Sequence, residues 1–201
     1  MEEFIEIVEV SPRDGIQNEK KILTTEQKLE LIYRAIDAGF KQVEVTSFVN
    51  PNKVPQMFDT DQVIKKLSKK KDKNLKFIGL VLNEKGFKRA LNSGLDIANY
   101  VIVASDTFSI RNQGASTADN LKTLGHVFRL ADNEIQIATT IGASFGCPFE
   151  GEVSVNRLLS IVENIAKIGL KEICLADTIG VATPRDIKTT DNQIHIIKGL
   201  I

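Results

Sequence analysis

An arginine and an aspartate stand side by side at Arg13 and Asp14, within the segment S-P-R-D-G-I-Q-N-E of residues 11–19. Arginine supplies a permanent planar cation, and aspartate supplies a hard oxygen ligand for a metal ion. The segment follows an apolar stretch that predicts a strand, and in proteins built from βα units the carboxyl ends of strands hold the chemistry. The same residues also fit a plain turn, in which Asp14 caps the backbone and Arg13 is a solvated surface charge.

A second carboxylate, Glu44, lies between two valines in the V-E-V run of another predicted strand. If Val43 and Val45 face helices, Glu44 faces the opposite side of the strand, which would be the interior of a barrel. A buried carboxylate requires a partner, because burying an unpaired charge is costly. Arg13 or a metal ion would satisfy it, and a purely structural ion pair with Arg13 is the alternative.

Three helix ends share one pattern, in which a glycine is followed by a strand: Gly39, Gly94 and Gly169. These glycines suit the left-handed conformation that ends many helices. Helical periodicity covers residues 25–38, 84–92, 118–132 and 154–168, with Thr24 or Thr25 and Ser154 as candidate N-caps. Strands are predicted over residues 3–10, 42–47, 75–82, 97–104, 135–141 and 172–176.

Strands separated by helices indicate parallel pairing, as in a doubly wound sheet or a (β/α)8 barrel. The first strand is not followed by G-x-G-x-x-G, which counts against a dinucleotide-binding sheet. We therefore expect an α/β fold of the TIM-barrel type in a single domain, with about the first six βα units present. Polar residues follow several strands where an active site would lie, among them Ser105, Asp106, Asp177 and Thr178.

Composition excludes several classes of partner. Lys and Arg balance Asp and Glu at 26 each, so no net field attracts nucleic acid or anionic lipid. The basic stretch at residues 65–73 lacks interleaved aromatic residues and is interpreted as a solvated helix end. Cys147 and Cys174 lack C-x-x-C spacing, which favours a reducing compartment. Without an apolar run of about 20 residues or a leader segment, we expect a cytoplasmic protein without a membrane span.

Four blocks carry a family resemblance: S-P-R-D-G-I-Q-N-E, V-E-V-T-S-F-V-N-P-N-K-V-P-Q-M-F-D, A-S-F-G-C-P-F-E-G and L-A-D-T-I-G-V-A-T-P. In this order and spacing, from about residue 6 to residue 184, they resemble the 3-hydroxy-3-methylglutaryl-CoA (HMG-CoA) lyases. Related metal-dependent aldolases and Claisen-type synthases share the Arg-Asp start but typically lack T-S-F-V followed by V-P-Q-M. The resemblance implies a TIM-barrel lyase that cleaves HMG-CoA to acetyl-CoA and acetoacetate, in leucine catabolism and ketone body metabolism.

The resemblance also implies roles for residues of this chain. Asp14 would ligate a divalent cation, Mg or Mn, together with two histidines of a later H-x-H, and Arg13 would neutralise the charge of the developing enolate. Glu44 would act either as a proton relay or as the residue that orients Arg13. Gln17 would help to orient the same group.

Asp177 and Thr178 would shape the floor of the substrate pocket. The implied partner is a small acyl-CoA thioester, and the chain is a possible homo-oligomer. Cys147 has no histidine nearby in sequence and is interpreted as structural or as part of a pocket wall, whereas Cys174 alternates with apolar residues and is predicted to lie in the core. His126 is given no metal role.

The end of the chain departs from the family pattern. Residues 185–201 contain neither an H-x-H pair nor a glycine-rich cysteine loop, and His195 is the sole histidine there. Residues 189–192 also predict a poor helix. We therefore interpret residues 1–201 as one incomplete lyase domain with a divergent tail at 185–201, from a truncated or frame-shifted copy. Such a chain is expected to bind Mg or Mn weakly, to expose the edges of its first and last strands, and to show little activity.

Three functions therefore remain open: a lyase of the HMG-CoA type, a related carbon-carbon enzyme acting on another acyl-CoA or on a 2-oxo acid, and a non-catalytic remnant or interaction protein.

Overall fold

The computed structural model describes residues 5–67 and 74–198, without the side chains of residues 191–193 and 195–198. The strands are β1 (Val8–Glu9), β2 (Gln42–Ser47), β3 (Lys76–Val81), β4 (Ile97–Val103), β5 (Gln136–Gly142) and β6 (Ile173–Leu175). The α-helices are α1 (Thr25–Asp37), α2 (Thr60–Leu67), α3 (Glu84–Leu91), α4 (Asp106–Gln113), α5 (Thr117–Ala131), α6 (Val155–Ile168) and α7 (Pro184–Lys198). A π-helical turn covers Ser11–Gly15, and a 3-10 turn covers Pro55–Met57.

These elements fall into two compact units, one of residues up to 99 with 133–136, and one of residues 100–132 with 137–201. In the first unit, β1, β2 and β3 pair in parallel and in chain order. In the second, β5 and β6 pair in parallel. Within each unit the strands that pair are consecutive in the chain, whereas a doubly wound sheet reverses its order at a switch point. The fold is α/β of the TIM-barrel type with six βα units, as predicted.

Local signals place most helix ends. At α1, Gln27 N donates to Thr24 Oγ1 at 3.3 Å and Thr24 N donates to Gln27 Oε1 at 3.0 Å, which is a capping box and confirms Thr24 as the N-cap. Ser154 caps α6, also as predicted. The glycines that end helices have positive φ angles, 102° at Gly39 and 105° at Gly169. These predictions succeeded because each depends on residues a few positions apart.

The predicted first strand was too long. Only Val8–Glu9 form β1, because the π-helical turn begins at Ser11 and residues 5–7 are exposed. Residues 3 and 4 of that prediction, and residues 68–73 of the basic stretch, lie outside the described residues.

Lys65 and Lys66 stand in the last turn of α2, as expected for a helix end. Sequence patterns also missed α4.

The expectation of a poor helix at residues 189–192 was wrong, because α7 runs through them. Pro184 occupies the first position of this helix, and Thr183 and Asp186 stabilise its start. The Thr183 hydroxyl donates to Asp186 Oδ2 at 2.6 Å, and Asp186 N donates to Thr183 Oγ1 at 3.3 Å. A strong start and a buried Thr190 outweigh weak local propensity. The side chain of His195 lies outside the described residues.

The predicted core position of Cys174 was also wrong, because this cysteine is exposed. Within the described residues β6 pairs with β5 on one side only, so alternation in the strand did not lead to burial. None of the helices in residues 5–67 and 74–198 has the length and apolar character needed to cross a membrane.

Candidate functional site

The turn that follows β1 presents Arg13 and Asp14 together. The Val10 carbonyl oxygen accepts from both backbone amides, from Arg13 N at 3.1 Å and from Asp14 N at 2.7 Å. Pro12 is buried within the turn and limits its conformations. The backbone therefore holds the two side chains at fixed neighbouring positions.

Glu44 lies on β2 where the pairing with β3 changes register. Glu44 pairs with Ile78 and Thr46 with Gly79, so Val45 is the extra residue of a β-bulge. A bulge redirects side chains along a strand and is frequent beside active sites. The Glu44 side chain is 3% exposed, as the prediction of an inward-facing carboxylate requires.

Arg13 and Glu44 form a two-pronged ion pair. Arg13 Nε lies 2.9 Å from Glu44 Oε1, and Arg13 Nη2 lies 3.1 Å from Glu44 Oε2. Arg13 Nη1 donates to Asp14 Oδ1 at 2.7 Å and makes a longer contact of 3.5 Å with Gln17 Oε1. The structure thus brings together four predicted site residues from two segments of the chain. Arg13 is nearly buried, whereas Asp14 is 60% exposed.

Burial and charge act in opposite directions on this pair. Burial raises the pKa of Glu44 above its ordinary value, and the charge and hydrogen bonds of Arg13 oppose that rise. The nearby charge of Asp14 raises the Glu44 pKa further. The ionised state of Glu44 therefore depends on Arg13 staying in place.

The donors near Arg13 do not complete a metal centre. Asp14 is a suitable hard ligand for Mg or Mn, and it is exposed. However, the described part of the chain contains no group of three His, Cys, Asp or Glu side chains able to hold an ion. Asp14 is therefore a single candidate ligand.

Asp177 and Thr178 stabilise loops of the second unit. Asp177 Oδ1 accepts from Val181 N at 3.0 Å, and its Oδ2 accepts from Ala182 N at 2.9 Å. Thr178 Oγ1 accepts from Ala143 N at 2.7 Å, at the end of β5. These bonds give both residues a role in loop structure, and a place in a substrate pocket stays a prediction.

Sequence patterns did not predict a cavity of about 730 Å³ in the second unit. Its lining includes Cys147, Ile179, Val181 and Arg185, which supports the interpretation of Cys147 as a wall residue. Ser105 Oγ lies 2.9 Å from Cys147 Sγ. Burial acts to raise the pKa of the Cys147 thiol, but this hydrogen bond and those of the following backbone amides outweigh it and lower the pKa.

Known proteins of similar sequence include two acyl-CoA lyases. A (R)-citramalyl-CoA lyase from Chloroflexus aurantiacus is 37% identical over 194 residues, which cover 92% of this chain and 61% of that protein. A hydroxymethylglutaryl-CoA lyase from Bacillus subtilis is 34% identical over 190 residues, which cover 92% of this chain and 62% of that protein. The chain thus spans about three fifths of the length of these relatives.

Solved structures agree with the sequence matches. An HMG-CoA lyase from Acenitobacter baumannii, in complex with coenzyme A and 3-methylmalate, superposes with a TM-score of 0.91 at 32% identity. The superposition covers 96% of this chain and 62% of that one. The sequence model of the HMGL-like family matches residues 4–196. This match covers nearly the whole sequence, and the chain therefore belongs to the HMGL-like family.

Proposed function

We propose that this chain carries the enolate-stabilising part of an acyl-CoA carbon-carbon lyase site, with Arg13 as its central catalytic residue. The observation that carries the proposal is the bidentate contact of Arg13 with the buried Glu44, at 2.9 and 3.1 Å. A guanidinium held at two points is oriented before substrate arrives, which is the condition for effective electrostatic stabilisation. Membership of a family that includes acyl-CoA lyases supports the same reaction class.

The proposed reaction is a retro-Claisen cleavage of a 3-hydroxyacyl-CoA. A base takes the proton of the C3 hydroxyl, C3 becomes a carbonyl carbon as the bond between C2 and C3 breaks, and the electron pair of that bond passes to the thioester as an enolate. Protonation of the enolate at C2 then gives acetyl-CoA. Arg13 would stabilise the negative enolate oxygen, and removing one such donor typically costs about 10²- to 10³-fold in rate.

Glu44 is proposed as the residue that orients Arg13. Both of its carboxylate oxygens accept from the guanidinium, and the side chain is 3% exposed. A proton relay would need an oxygen available to substrate, so the geometry favours orientation over relay. Gln17 would support Arg13 through the longer contact with Nη1.

A divalent cation, Mg or Mn, would polarise substrate oxygens when bound. Asp14 is the residue of the described chain that would contribute a ligand. The donors found here do not complete that centre, so the roles given to Arg13 and Glu44 are argued without the ion. Pocket roles for Asp177 and Thr178, homo-oligomerisation, a cytoplasmic location and a part in leucine and ketone body metabolism also stay predictions.

HMG-CoA is the proposed substrate, and citramalyl-CoA is the second candidate because a (R)-citramalyl-CoA lyase is 37% identical to this chain. Both thioesters release acetyl-CoA through the same enolate. They differ in the second product, which is acetoacetate from HMG-CoA and pyruvate from citramalyl-CoA. The acid released therefore identifies the substrate while the proposed role of Arg13 is the same for both.

The test is to incubate the chain with each thioester and Mn or Mg and to quantify acetyl-CoA, acetoacetate and pyruvate by mass spectrometry. We expect slow release that Arg13→Lys lowers about 100-fold, because lysine cannot reproduce the planar fork. Arg34→Lys, which changes an exposed arginine on α1, is the matched control and should leave release unchanged. Release that is insensitive to Arg13→Lys would contradict the role of Arg13. If neither thioester is cleaved, a non-catalytic protein is favoured.

A further inference from the structure

A buried polar cluster lies where α1 begins, and the proposed chemistry does not use it. Its members are Thr25 and Lys28 on α1, Gln56 in the 3-10 turn, and Asp59 just before α2. Their exposed fractions are 8% for Thr25, 3% for Lys28, 1% for Gln56 and 3% for Asp59. We call these four residues the Lys28–Asp59 cluster. Charged side chains are rarely this buried unless they are paired, so the cluster requires an explanation.

The charged atoms of the cluster are paired. Lys28 Nζ lies 2.5 Å from Asp59 Oδ1 and also donates to the Gln56 carbonyl oxygen. The Thr25 hydroxyl donates to Asp59 Oδ2 at 2.6 Å, so both carboxylate oxygens are bonded. The Lys28 ammonium also lies 4.9 Å from the centre of the Phe58 ring. These contacts hold the first turn of α1 against the segment that leads into α2.

The Gln56 side chain binds the backbone that precedes α1. Its Oε1 accepts from Leu23 N at 2.9 Å, and its Nε2 donates to the Lys21 carbonyl oxygen at 3.1 Å. The connection from β1 to α1 is thereby bonded to the connection from β2 to α2. The first of these connections begins at the turn that carries Arg13, and the second begins at the strand that carries Glu44.

Stability alone is a poor explanation for this cluster. Lys28 is the fourth residue of α1, and a lysine near the positive end of the helix dipole is disfavoured. A buried ion pair also loses much of its attraction to desolvation, and apolar residues of similar volume often serve as well or better. What a bonded pair supplies and an apolar contact lacks is a defined distance and direction.

The contact between Arg13 and Glu44 requires that the two chain segments carrying these residues be held at a defined distance and direction. Direct pairing of β1 with β2 extends over only two residues, Val8 with Gln42 and Glu9 with Val43. A ladder this short gives weak control over a side chain in the turn beyond it. We propose that the Lys28–Asp59 cluster is a positioning device that ties the two connections together and keeps Arg13 seated on Glu44. Its consequence for turnover rests on the proposed function, but its effect on Arg13 does not.

The test replaces the polar atoms of the cluster with apolar ones of similar size, in the variant Thr25→Val/Lys28→Met/Asp59→Leu. The readout is hydrogen exchange of the Arg13 Nε–H, measured by ¹⁵N NMR and assigned by its loss in Arg13→Lys. We expect exchange to be about tenfold faster while the free energy of unfolding is unchanged or higher. The matched control, Glu30→Gln/Arg34→Met, removes an exposed ion pair on the same helix and should leave exchange unchanged.

Wild-type exchange in a folded triple variant would overturn the proposal, because the cluster would then be structural only. If the triple variant does not fold, Thr25→Val alone decides, since it removes one hydrogen bond to Asp59 and keeps the ion pair. A few-fold rise in Arg13 Nε–H exchange at unchanged unfolding free energy supports the proposal, and no rise overturns it. This readout requires no turnover, so failure of the proposed lyase activity is seen separately.

Discussion

Glu44 shows how one residue can depend on another. Its side chain is 3% exposed, and both of its oxygens accept from Arg13. Burial raises its pKa, and Arg13 limits that rise. Without Arg13, the buried Glu44 carboxyl group loses the cation that stabilises its ionised form. The protonated form of Glu44 is then favoured in the folded state.

We predict that Arg13→Met makes stability fall more steeply with rising pH. A carboxyl group whose pKa is higher in the folded state than in the unfolded chain holds its proton longer when folded. The unfolded state then binds fewer protons above about pH 4.5, so the free energy of unfolding decreases as pH rises. The added slope is at most about 1.4 kcal/mol per pH unit. Urea unfolding at several pH values from about 5 to 8 measures this slope.

The control for this slope is Arg13→Met/Glu44→Gln, in which the titrating group is absent. We expect the added slope to disappear in this double variant, because glutamine does not ionise. If Arg13→Met and the double variant show the same dependence on pH, Glu44 is not the group that depends on Arg13.

At the scale of single elements, α3 packs closely enough to require a glycine. A Cβ added at Gly86 would lie 2.8 Å from the Phe48 carbonyl oxygen, which is backbone and cannot move aside cheaply. Gly86 N also donates to the N-cap Asn83 at 2.9 Å. In α5, by contrast, a Cβ at Gly125 would find its nearest neighbour at 3.7 Å, an ordinary contact. The two helical glycines therefore differ in what an added methyl group meets.

We predict opposite effects of alanine at these two positions. Gly86→Ala should lower the free energy of unfolding by about 1–3 kcal/mol, because steric strain exceeds the gain in helix propensity. Gly125→Ala should raise it by up to about 1 kcal/mol. Chemical denaturation measures both variants, and a stabilising Gly86→Ala would show that this contact is not tight in solution.

At the scale of the whole molecule, β1 forms an edge of the sheet in the part of the chain that the structure describes. Within the described residues β1 pairs with β2 alone, and Ile5 and Ile7 beside it are 78% and 64% exposed. Exposed apolar residues next to an unpaired strand edge favour association with another chain. The sequence predicted an exposed edge at the first strand, and the structure supports this prediction.

We predict that Ile5→Lys/Ile7→Lys reduces concentration-dependent association of the chain, because charges on an edge oppose pairing. Sedimentation velocity over a range of concentrations measures the effect. The free energy of unfolding should stay nearly constant, because both side chains are already exposed. Ile110→Lys, at a 54% exposed isoleucine on α4, is the matched control and should leave association unchanged. Equal association of wild type and the double variant would show that this edge is not the contact surface.

Local sequence determined much of this protein. Thr24 and Gly39 mark the two ends of α1 through contacts with residues four or fewer positions away, so neighbouring letters were sufficient to predict them. The order of helices and strands gave the TIM-barrel type, because parallel strands joined by helices leave few alternatives. The four motif blocks predicted the family, which the comparisons confirmed.

Only the tertiary structure decided how distant residues meet. Arg13 and Glu44 are 31 positions apart, and the sequence left a metal ion as an alternative partner for Glu44. No sequence pattern singled out Lys28, because its partner Asp59 lies 31 positions away; both residues are buried. Cys174 alternates like a core residue and is exposed. Periodicity reports which side of an element a residue occupies, whereas burial and pairing depend on which other element covers that side.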